Sequence, residues 1–158
     1  MNLRIGYGYD VHRLEDGLKL TIGGIVVPHS KGCVAHSDGD VLIHAICDAL
    51  LGAAAMRDIG FHFPDTSNEF KNIDSKLLLK RTYDIIKEKG YTLVNIDSTI
   101  CLQTPKIQQY IPEMIEILSK TINEDSEKIS IKATTTEKLG FIGHEEGISA
   151  HAVVLIQK

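Results

Sequence analysis

The chain has 158 residues, of which 43% are hydrophobic and 24% are charged, a composition that predicts one globular domain and excludes a disordered chain. The formal net charge is −4 and no Lys/Arg cluster is present, so a nucleic-acid-binding face is not expected. The three cysteines lack CxxC spacing and the N-terminus lacks signal or transit features, which together indicate a cytoplasmic protein with reduced thiols.

The first part of the chain is predicted to form strands followed by a helix. In chain order, the pattern indicates a strand over 3–10, strands over 18–22 and 25–27 around a Gly23-Gly24 turn, a loop over 28–39 and a helix over 40–56. On that helix an apolar stripe recurs at helical spacing, whereas Asp40, His44 and Asp48 follow an i, i+4, i+8 series on another face. The weakly polar stretch 43–56 contains Asp48 and is too short to span a bilayer, so no membrane partner is expected.

The remainder of the chain alternates between helical and strand patterns. The predicted elements are a loop over 57–73, a helix over 75–89 that Asp74 caps and Gly90 ends, a β-rich run over 91–102, a helical segment from Pro105 to about Asn123 that Pro112 interrupts, and strands over 129–135 and 148–157. This order predicts an α+β fold, a single domain over residues 1–158 with helices covering one face of a β-sheet.

One set of residues is suited to bind a metal ion. Asp10 and His12 stand at i and i+2, so in an extended segment both side chains point to the same side. His44 on the polar helix face is a suitable third ligand, and two imidazoles with one carboxylate leave a fourth zinc position open for a substrate. Non-haem iron uses the same ligand types, and the DxH spacing alone is common by chance. Asp40 or Asp48 is a candidate to orient His44 from behind.

Several loops are candidates to bind anions, and each also has a purely structural interpretation. His36 and Ser37 stand at the entrance of the predicted helix, where Ser37 or Asp38 could simply cap it. The run from Thr134 to Glu137 could form an anion-binding cup, with Glu137 holding Mg²⁺, or a capping box.

Two further loops are equally open to both interpretations. The run 103–106 could begin a helix at Pro105 or cradle a phosphate or base. The Gly- and Pro-containing run 58–66 could be a mobile lid or an ordinary surface loop.

The order of six motifs is more specific than any one of them. They are GYDVH at 8–12, HSDGDVLIHAICDALLGAAAMRDIG at 36–60, FPDT at 63–66, KGYTLVNID at 89–97, QTPK at 103–106 and KATTTEKLGF at 132–141. Together they resemble the 2-C-methyl-D-erythritol 2,4-cyclodiphosphate synthase family of the non-mevalonate isoprenoid pathway. The resemblance covers essentially the whole chain and includes no cytidylyltransferase domain, which implies the single-function form.

The resemblance implies an assembly and a set of metal ions. The implied assembly is a homotrimer with its sheets around the three-fold axis and three active sites between neighbouring subunits. Asp10, His12 and His44 would bind Zn²⁺, and Glu137 would hold a second ion, Mg²⁺ or Mn²⁺, on the substrate diphosphate.

The resemblance also implies a reaction and the residues that carry it. The 2-phosphate of 4-diphosphocytidyl-2-C-methyl-D-erythritol 2-phosphate would attack its own β-phosphate and release CMP, with His36 and Thr135 as catalytic residues. The implied substrate contacts are Asp10, His12, His36, Ser37, Asp58, Ile59, Gly60, Phe63, Pro64, Asp65, Thr66, Ser67, Leu102, Gln103, Thr104, Pro105, Lys106, Ile107, Gln108, Ala133, Thr134, Thr135, Thr136, Glu137, Phe141 and His144. A zinc-dependent phosphohydrolase and a non-catalytic trimer that binds isoprenoid diphosphates are the alternatives.

One position departs from the family pattern. His144 stands where the family often has Arg, in a region that in the family faces a central cavity proposed to hold isoprenoid diphosphates. Because His carries less charge near neutral pH and lacks the two-pronged guanidinium, the expectation of anion binding there is weaker.

Overall fold

The computed structural model describes residues 2–158, apart from the side chain of Glu69. Its elements are β1 (Leu3–Asp16), β2 (Leu20–Ile22), β3 (Ile25–Val27), β4 (Lys31–Cys33), α1 (Val41–Ala53), α2 (Ile59–His62), α3 (Ser75–Glu88), β5 (Thr92–Cys101), α4 (Ile111–Ile122), β6 (Ile129–Thr134), α5 (Gly140–Gly143) and β7 (Gly147–Gln157). Short 3₁₀ turns lie at Asn68–Phe70, Gln108–Tyr110 and Ser126–Lys128. Among these residues no helix combines the length and apolar character that a bilayer crossing needs.

The main sheet has five strands in the order β4-β1-β7-β5-β6. The long strands β1 and β7 pair antiparallel from Leu3 opposite Gln157 to Arg13 opposite Gly147. β5 is antiparallel to β7 but parallel to β6, so the carboxyl ends of β5 and β6 meet at one edge. A separate two-stranded ribbon, β2–β3, turns at Gly23-Gly24, where both residues have positive φ as the sequence pattern predicts.

Helix α1 lies directly against the sheet because two glycines of β1 have no side chain. A Cβ atom at Gly6 would lie 1.9 Å from the carbonyl oxygen of Ala49, and one at Gly8 would lie 1.9 Å from that of Ala45. The apolar residues of α1 are fully buried, and α3 packs beside α1 to complete the core. The predicted α+β fold, with helices covering one face of a sheet, is confirmed.

The opposite face of β1 is uncovered in the single chain. Its side chains are large and mostly apolar, and the exposed members of this sheet face are Leu3, Ile5, Tyr7, Tyr9 and Val11 of β1 and Val153 of β7. A contiguous apolar surface of this kind is typical of a protein–protein interface.

Several predicted elements differ from the structure, including the loops 28–39 and 57–73, which contain β4 and α2. β1 continues to Asp16, six residues beyond the predicted end, because the antiparallel partner β7 and then β4 pair with the extra residues. Pro105 does not begin a helix but lies in an irregular segment, and α4 begins at Ile111. Pro112 lies in the first turn of α4 and does not interrupt it, because the backbone N–H that proline lacks has no helical partner there.

Candidate metal centre and substrate cavities

Strand β1 and helix α1 bring together the three residues predicted to bind a metal. Asp10 and His12 lie two residues apart inside β1 and so share one side of the strand, and His44 faces them from α1. The ligand atoms of the three side chains all lie within 4.8 Å of one another. Each side chain is largely but not completely buried, which leaves access for a small ligand.

The nitrogen atoms of His12 are oriented for metal binding. Its Nδ1 lies 2.7 Å from the carbonyl oxygen of Val11 and therefore donates to it, which leaves the lone pair on Nε2. That Nε2 atom is buried and has no hydrogen-bond partner among the described residues. A buried nitrogen without a partner costs free energy unless a ligand occupies the space in front of it.

Asp10 makes the position of His44 favourable for a cation. Oδ2 of Asp10 lies 3.1 Å from Nδ1 of His44. Burial by itself lowers the pKa of His44, but the hydrogen bond to Asp10 and its negative charge outweigh burial and raise the pKa. The same negative charge favours a metal ion between the two side chains. The donor set of one carboxylate and two imidazoles therefore fits a divalent cation with an open coordination position.

Asp40 determines where α1 begins and so where His44 lies. Its buried carboxylate caps α1 by accepting a hydrogen bond from the backbone N–H of Ile43 at 3.0 Å. It also accepts from the N–H groups of Gly23 at 3.0 Å and Gly24 at 2.7 Å, which ties the β2–β3 turn to the helix. Burial raises the pKa of Asp40 to about 6, and the three backbone donors oppose that rise.

Replacement of Asp40 by Ala is expected to lower the free energy of unfolding by about 3 kcal/mol at neutral pH. Three buried N–H groups would lose their acceptor, and relief from burying a carboxylate offsets only part of that loss. Urea unfolding measures the effect. Asp74→Ala, which removes an exposed cap with a bond to Lys76 N–H, is the matched control and should cost about 1 kcal/mol. Equal losses in the two variants would contradict the role assigned to Asp40.

A cavity of about 440 Å³ opens in front of the metal group. Residues that the sequence predicted as substrate contacts form much of its lining, namely Asp10, His12, His36, Ser37, Ile59, Gly60, Phe63 and Asp65. Asp58, Pro64, Thr66 and Ser67 of the predicted loop do not line it, and Asp58 caps α2 by accepting from the N–H of Phe61. The cavity is therefore bounded by the metal ligands, by the residues that precede α1 and, on one side, by part of the 58–67 segment.

The sequence interpretation missed part of this lining. Asp48 lines the cavity and accepts a hydrogen bond from the N–H of Ile59 at 2.7 Å, so it holds the start of α2 in place. An apolar wall from Phe70, Ile73 and Leu78 was not predicted at all. Asp48 could have been found from its position four residues after His44 on the same helix face. No local sequence pattern indicated the apolar wall.

A second cavity, of about 330 Å³, lies where β5 and β6 end side by side. It is lined by Leu102, Gln103, Pro105, Lys106, Ile107, Gln108, Ala133, Thr134 and Thr135. The parallel pairing of Cys101 with Thr134 brings the two predicted segments together. Thr104 and Thr136 are adjacent in sequence to lining residues but do not themselves line the cavity.

The segment after β6 is a tight turn and not a capping box. Both Glu137 and Lys138 have positive φ, and Thr136 Oγ1 donates to the carbonyl oxygen of Leu139 at 2.7 Å. The Thr135 hydroxyl donates to a carboxylate oxygen of Glu137 at 3.3 Å, and Lys138 N–H donates to Gln103 at 3.1 Å. This turn leaves Glu137 exposed beside the second cavity.

The predicted catalytic pair is not brought together within one chain. His36 lines the first cavity and Thr135 the second, and the two cavities have no lining residue in common. Within residues 2–158 Glu137 does not join the metal group. Phe141 and His144, at α5 and its end, line neither cavity.

Comparison with known proteins gives consistent results. A sequence model described as the YgbB family matches residues 3–157. The 2-C-methyl-D-erythritol 2,4-cyclodiphosphate synthase of Bacteroides thetaiotaomicron is 61% identical over 158 residues, which are 100% of this chain and 99% of that protein. Among solved structures, IspF of Plasmodium falciparum in complex with CDP has a TM-score of 0.86 and 35% identity, over 98% of this chain and 96% of that one.

A longer protein contains the same fold. The bifunctional IspDF of Campylobacter jejuni matches with a TM-score of 0.94 and 42% identity over 98% of this chain, which spans 42% of that longer protein. The family model and the curated relative both extend over essentially all of the present chain. The chain belongs to the YgbB family.

Proposed function

We propose that the chain is a cyclodiphosphate synthase, with residues 1–158 as a single synthase domain. The proposed reaction converts 4-diphosphocytidyl-2-C-methyl-D-erythritol 2-phosphate to 2-C-methyl-D-erythritol 2,4-cyclodiphosphate and CMP. The observation that carries this proposal is the Asp10–His12–His44 group at the first cavity, in a chain 61% identical to a synthase of that name. A cytoplasmic location stays a prediction.

The metal ions belong to the proposal. We assign Zn²⁺ to Asp10, His12 and His44, because their ligand atoms lie within 4.8 Å of one another and the buried Nε2 of His12 has no hydrogen-bond partner among the described residues. Glu137 offers a single exposed carboxylate, which suits a Mg²⁺ or Mn²⁺ ion that takes its other ligands from phosphate and water. When bound, such ions withdraw charge from phosphate oxygens.

The protein has to orient the substrate more than it has to activate it. A phosphate monoester has a second pKa near about 6 and is largely ionised at neutral pH, so attack by the 2-phosphate requires no protein base. Holding both ends of the substrate in a near-attack arrangement can contribute up to about 7–11 kcal/mol. Ile59, Gly60 and Phe63 form the wall against which the methylerythritol portion would lie.

The proposed catalytic residues His36 and Thr135 would contact the transferring phosphoryl group. The carbonyl oxygen of His36 accepts a hydrogen bond from Asn72 N–H at 2.7 Å, so the segment before α3 holds the loop that carries His36. Ser37 stands beside it at the entrance of α1, where a phosphate is favoured.

The second cavity is the proposed cytidine site. Its walls, from 102–108 and 133–135, offer backbone groups, Gln103 and Lys106 for a base and a phosphate. The CDP complex of the Plasmodium falciparum relative supports a cytidine nucleotide as part of the substrate.

A homotrimer with active sites between subunits completes the proposal. One chain separates His36 from Thr135, so a complete site needs the first cavity of one subunit and the second cavity of another. The uncovered sheet face of β1 and β7 offers an apolar surface for packing about a three-fold axis. Binding of an isoprenoid diphosphate near His144 in a central cavity stays a prediction.

Replacing Ile5, which is 71% exposed on this sheet face, by Glu is expected to dissociate the assembly and abolish turnover. A buried carboxylate without a partner would oppose subunit packing. Light scattering should give three times the 17.4 kDa chain mass for the parent and the single-chain mass for the variant. Leu77→Glu on α3, at a site 51% exposed, is the control and should remain trimeric. A trimeric Ile5→Glu variant would refute this interface.

Phosphorus NMR of the proposed substrate with Zn²⁺ and Mg²⁺ tests the activity. Cyclic diphosphate with CMP is the expected product. Release of orthophosphate or an acyclic monophosphate would instead establish a zinc-dependent phosphohydrolase. An unchanged substrate would establish a non-catalytic binding trimer.

A further inference from the structure

The nitrogen of His44 that faces away from the metal position contacts a buried serine. Nε2 of His44 lies 3.0 Å from Oγ of Ser75, the first residue of α3, and 3.3 Å from Oγ of Ser37. The Ser75 side chain is fully buried, whereas Ser37 lines the first cavity. The closer contact therefore comes from an element that has no other part in the metal group.

The hydroxyl of Ser75 has its own acceptor. It donates to Oδ1 of Asp38 in a short hydrogen bond, and the carboxylate of Asp38 also accepts from the N–H of Ser75 at 2.9 Å and of Asp40 at 3.2 Å. A serine hydroxyl has a single proton. Because Asp38 takes that proton, the oxygen of Ser75 can only accept from His44, so Nε2 of His44 must carry the hydrogen.

This arrangement determines the tautomer of His44. In this structure Nδ1 of His44 donates to the carboxylate of Asp10. Because Nε2 keeps its hydrogen for Ser75, the Nδ1 hydrogen is the one that a metal ion would replace, which leaves the Nδ1 lone pair for the metal. We propose that Asp38 and Ser75 are positioning residues that hold His44 in the tautomer and orientation needed to bind the metal. The proposal rests on the metal assignment made under the proposed function.

Among the described residues, neither acid that the sequence suggested for this role forms a hydrogen bond with the ring of His44. Asp40 accepts from backbone N–H groups, and Asp48 accepts from Ile59 N–H. Ser37 is not equivalent to Ser75, because its oxygen lies farther from Nε2 of His44, at 3.3 Å, and its proton is not committed to a carboxylate, so this contact by itself does not fix the direction of donation. Among residues 2–158, the Asp38–Ser75 pair is the one that gives Nε2 of His44 an acceptor whose own proton is committed elsewhere.

The first experiment measures Zn²⁺ affinity of the full-length protein by competition with a chromophoric chelator. Ser75→Ala is expected to weaken binding by about 10- to 100-fold, the usual effect of removing the partner of a ligating histidine. Ser98→Ala is the matched control, because Ser98 is equally buried and donates to the carbonyl oxygen of Ser130 at 2.9 Å, away from the metal. It should leave Zn²⁺ affinity unchanged. Equal affinity in the parent and Ser75→Ala, or an equal loss in Ser98→Ala, would overturn the proposal.

The second experiment reads the tautomer directly. Long-range proton–nitrogen NMR spectra of the zinc-bound parent, labelled in histidine, should show His44 protonated at Nε2 and bound through Nδ1. Asp38→Ala frees the Ser75 proton to point at His44, so this variant should show weaker zinc binding and a fraction of His44 protonated at Nδ1. It also provides a second variant if Ser75→Ala does not fold. A His44 ligated through Nε2 in the parent would overturn the proposal.

The two proposals fail in different ways. A parent protein that binds no Zn²⁺ would remove the metal assignment and the positioning role together. A parent that binds Zn²⁺ and turns over, with Ser75→Ala and Asp38→Ala of parental affinity, would remove only the positioning role.

Discussion

Replacement of His44 by Ala is expected to remove bound zinc and cyclisation together. His44 contributes one of three ligand atoms that lie within 4.8 Å of one another, and two remaining ligands do not form a stable zinc site. Loss of the several kcal/mol that a metal contributes to a phosphoryl transition state corresponds to a fall in kcat on the order of 1000-fold. Elemental analysis measures the zinc, and the rate of CMP release measures the activity.

His29→Ala is the matched control for this variant. His29 is a half-buried histidine in the loop between β3 and β4 and lines neither cavity. It should retain zinc and parental kcat. If His44→Ala keeps its activity after zinc is lost, the metal has no part in the reaction. If it keeps its zinc, His44 is not a ligand.

Gly8→Ala is expected to lower the free energy of unfolding by more than about 3 kcal/mol, or to prevent folding, because the added methyl group overpacks a contact that cannot relax cheaply. The new Cβ would lie 1.9 Å from the carbonyl oxygen of Ala45 and 2.8 Å from the nitrogen of Ala49, both of them backbone atoms of α1. The helix would have to move away from β1. Since His44 lies on α1 and Asp10 on β1, zinc affinity should fall with stability.

Gly52→Ala provides a control on the same helix. Nothing lies within 4 Å of a Cβ atom at Gly52, and alanine favours the helix by roughly 0.8–1 kcal/mol, so this variant should be slightly more stable. Urea unfolding at one fixed protein concentration compares the variants, because subunit association adds to apparent stability. Gly8→Ala with parental stability would show that α1 does not rest on β1 as closely as the distances require.

Local patterns placed the three candidate ligands and most elements, although the DxH spacing alone did not establish a metal site and the family resemblance supplied the ligand set. Helical spacing on α1 places His44 on its polar face, and alternation places Asp10 and His12 on one side of β1 because pairing with β7 keeps the strand extended through His12. The Gly23-Gly24 turn and the Asp74 cap likewise depend on conformational preferences of single residues.

The two prolines before and within α4 show that the preference of proline for the first helical turn does not by itself locate the start of a helix. Pro105 and Pro112 both suit the first turn of a helix, and the sequence interpretation chose the wrong one. Pro105 lines the cavity at the ends of β5 and β6, and α4 begins at Ile111, so the tertiary structure distinguishes two helix starts that are locally equivalent.

The residues that contact the metal ligands from behind could be identified only from the tertiary structure. Ser75 contacts His44 across 31 residues of sequence, and Asp38 reaches Ser75 from a loop across 37. Such contacts follow from how α3 packs beside α1, which no periodicity records. The sequence therefore determined which side chains could bind a metal, since that choice is one of residue chemistry and local repeat. Only the packing of the helices determined which residues orient those side chains, because hydrogen-bond partners that are far apart in sequence become neighbours only in the folded chain.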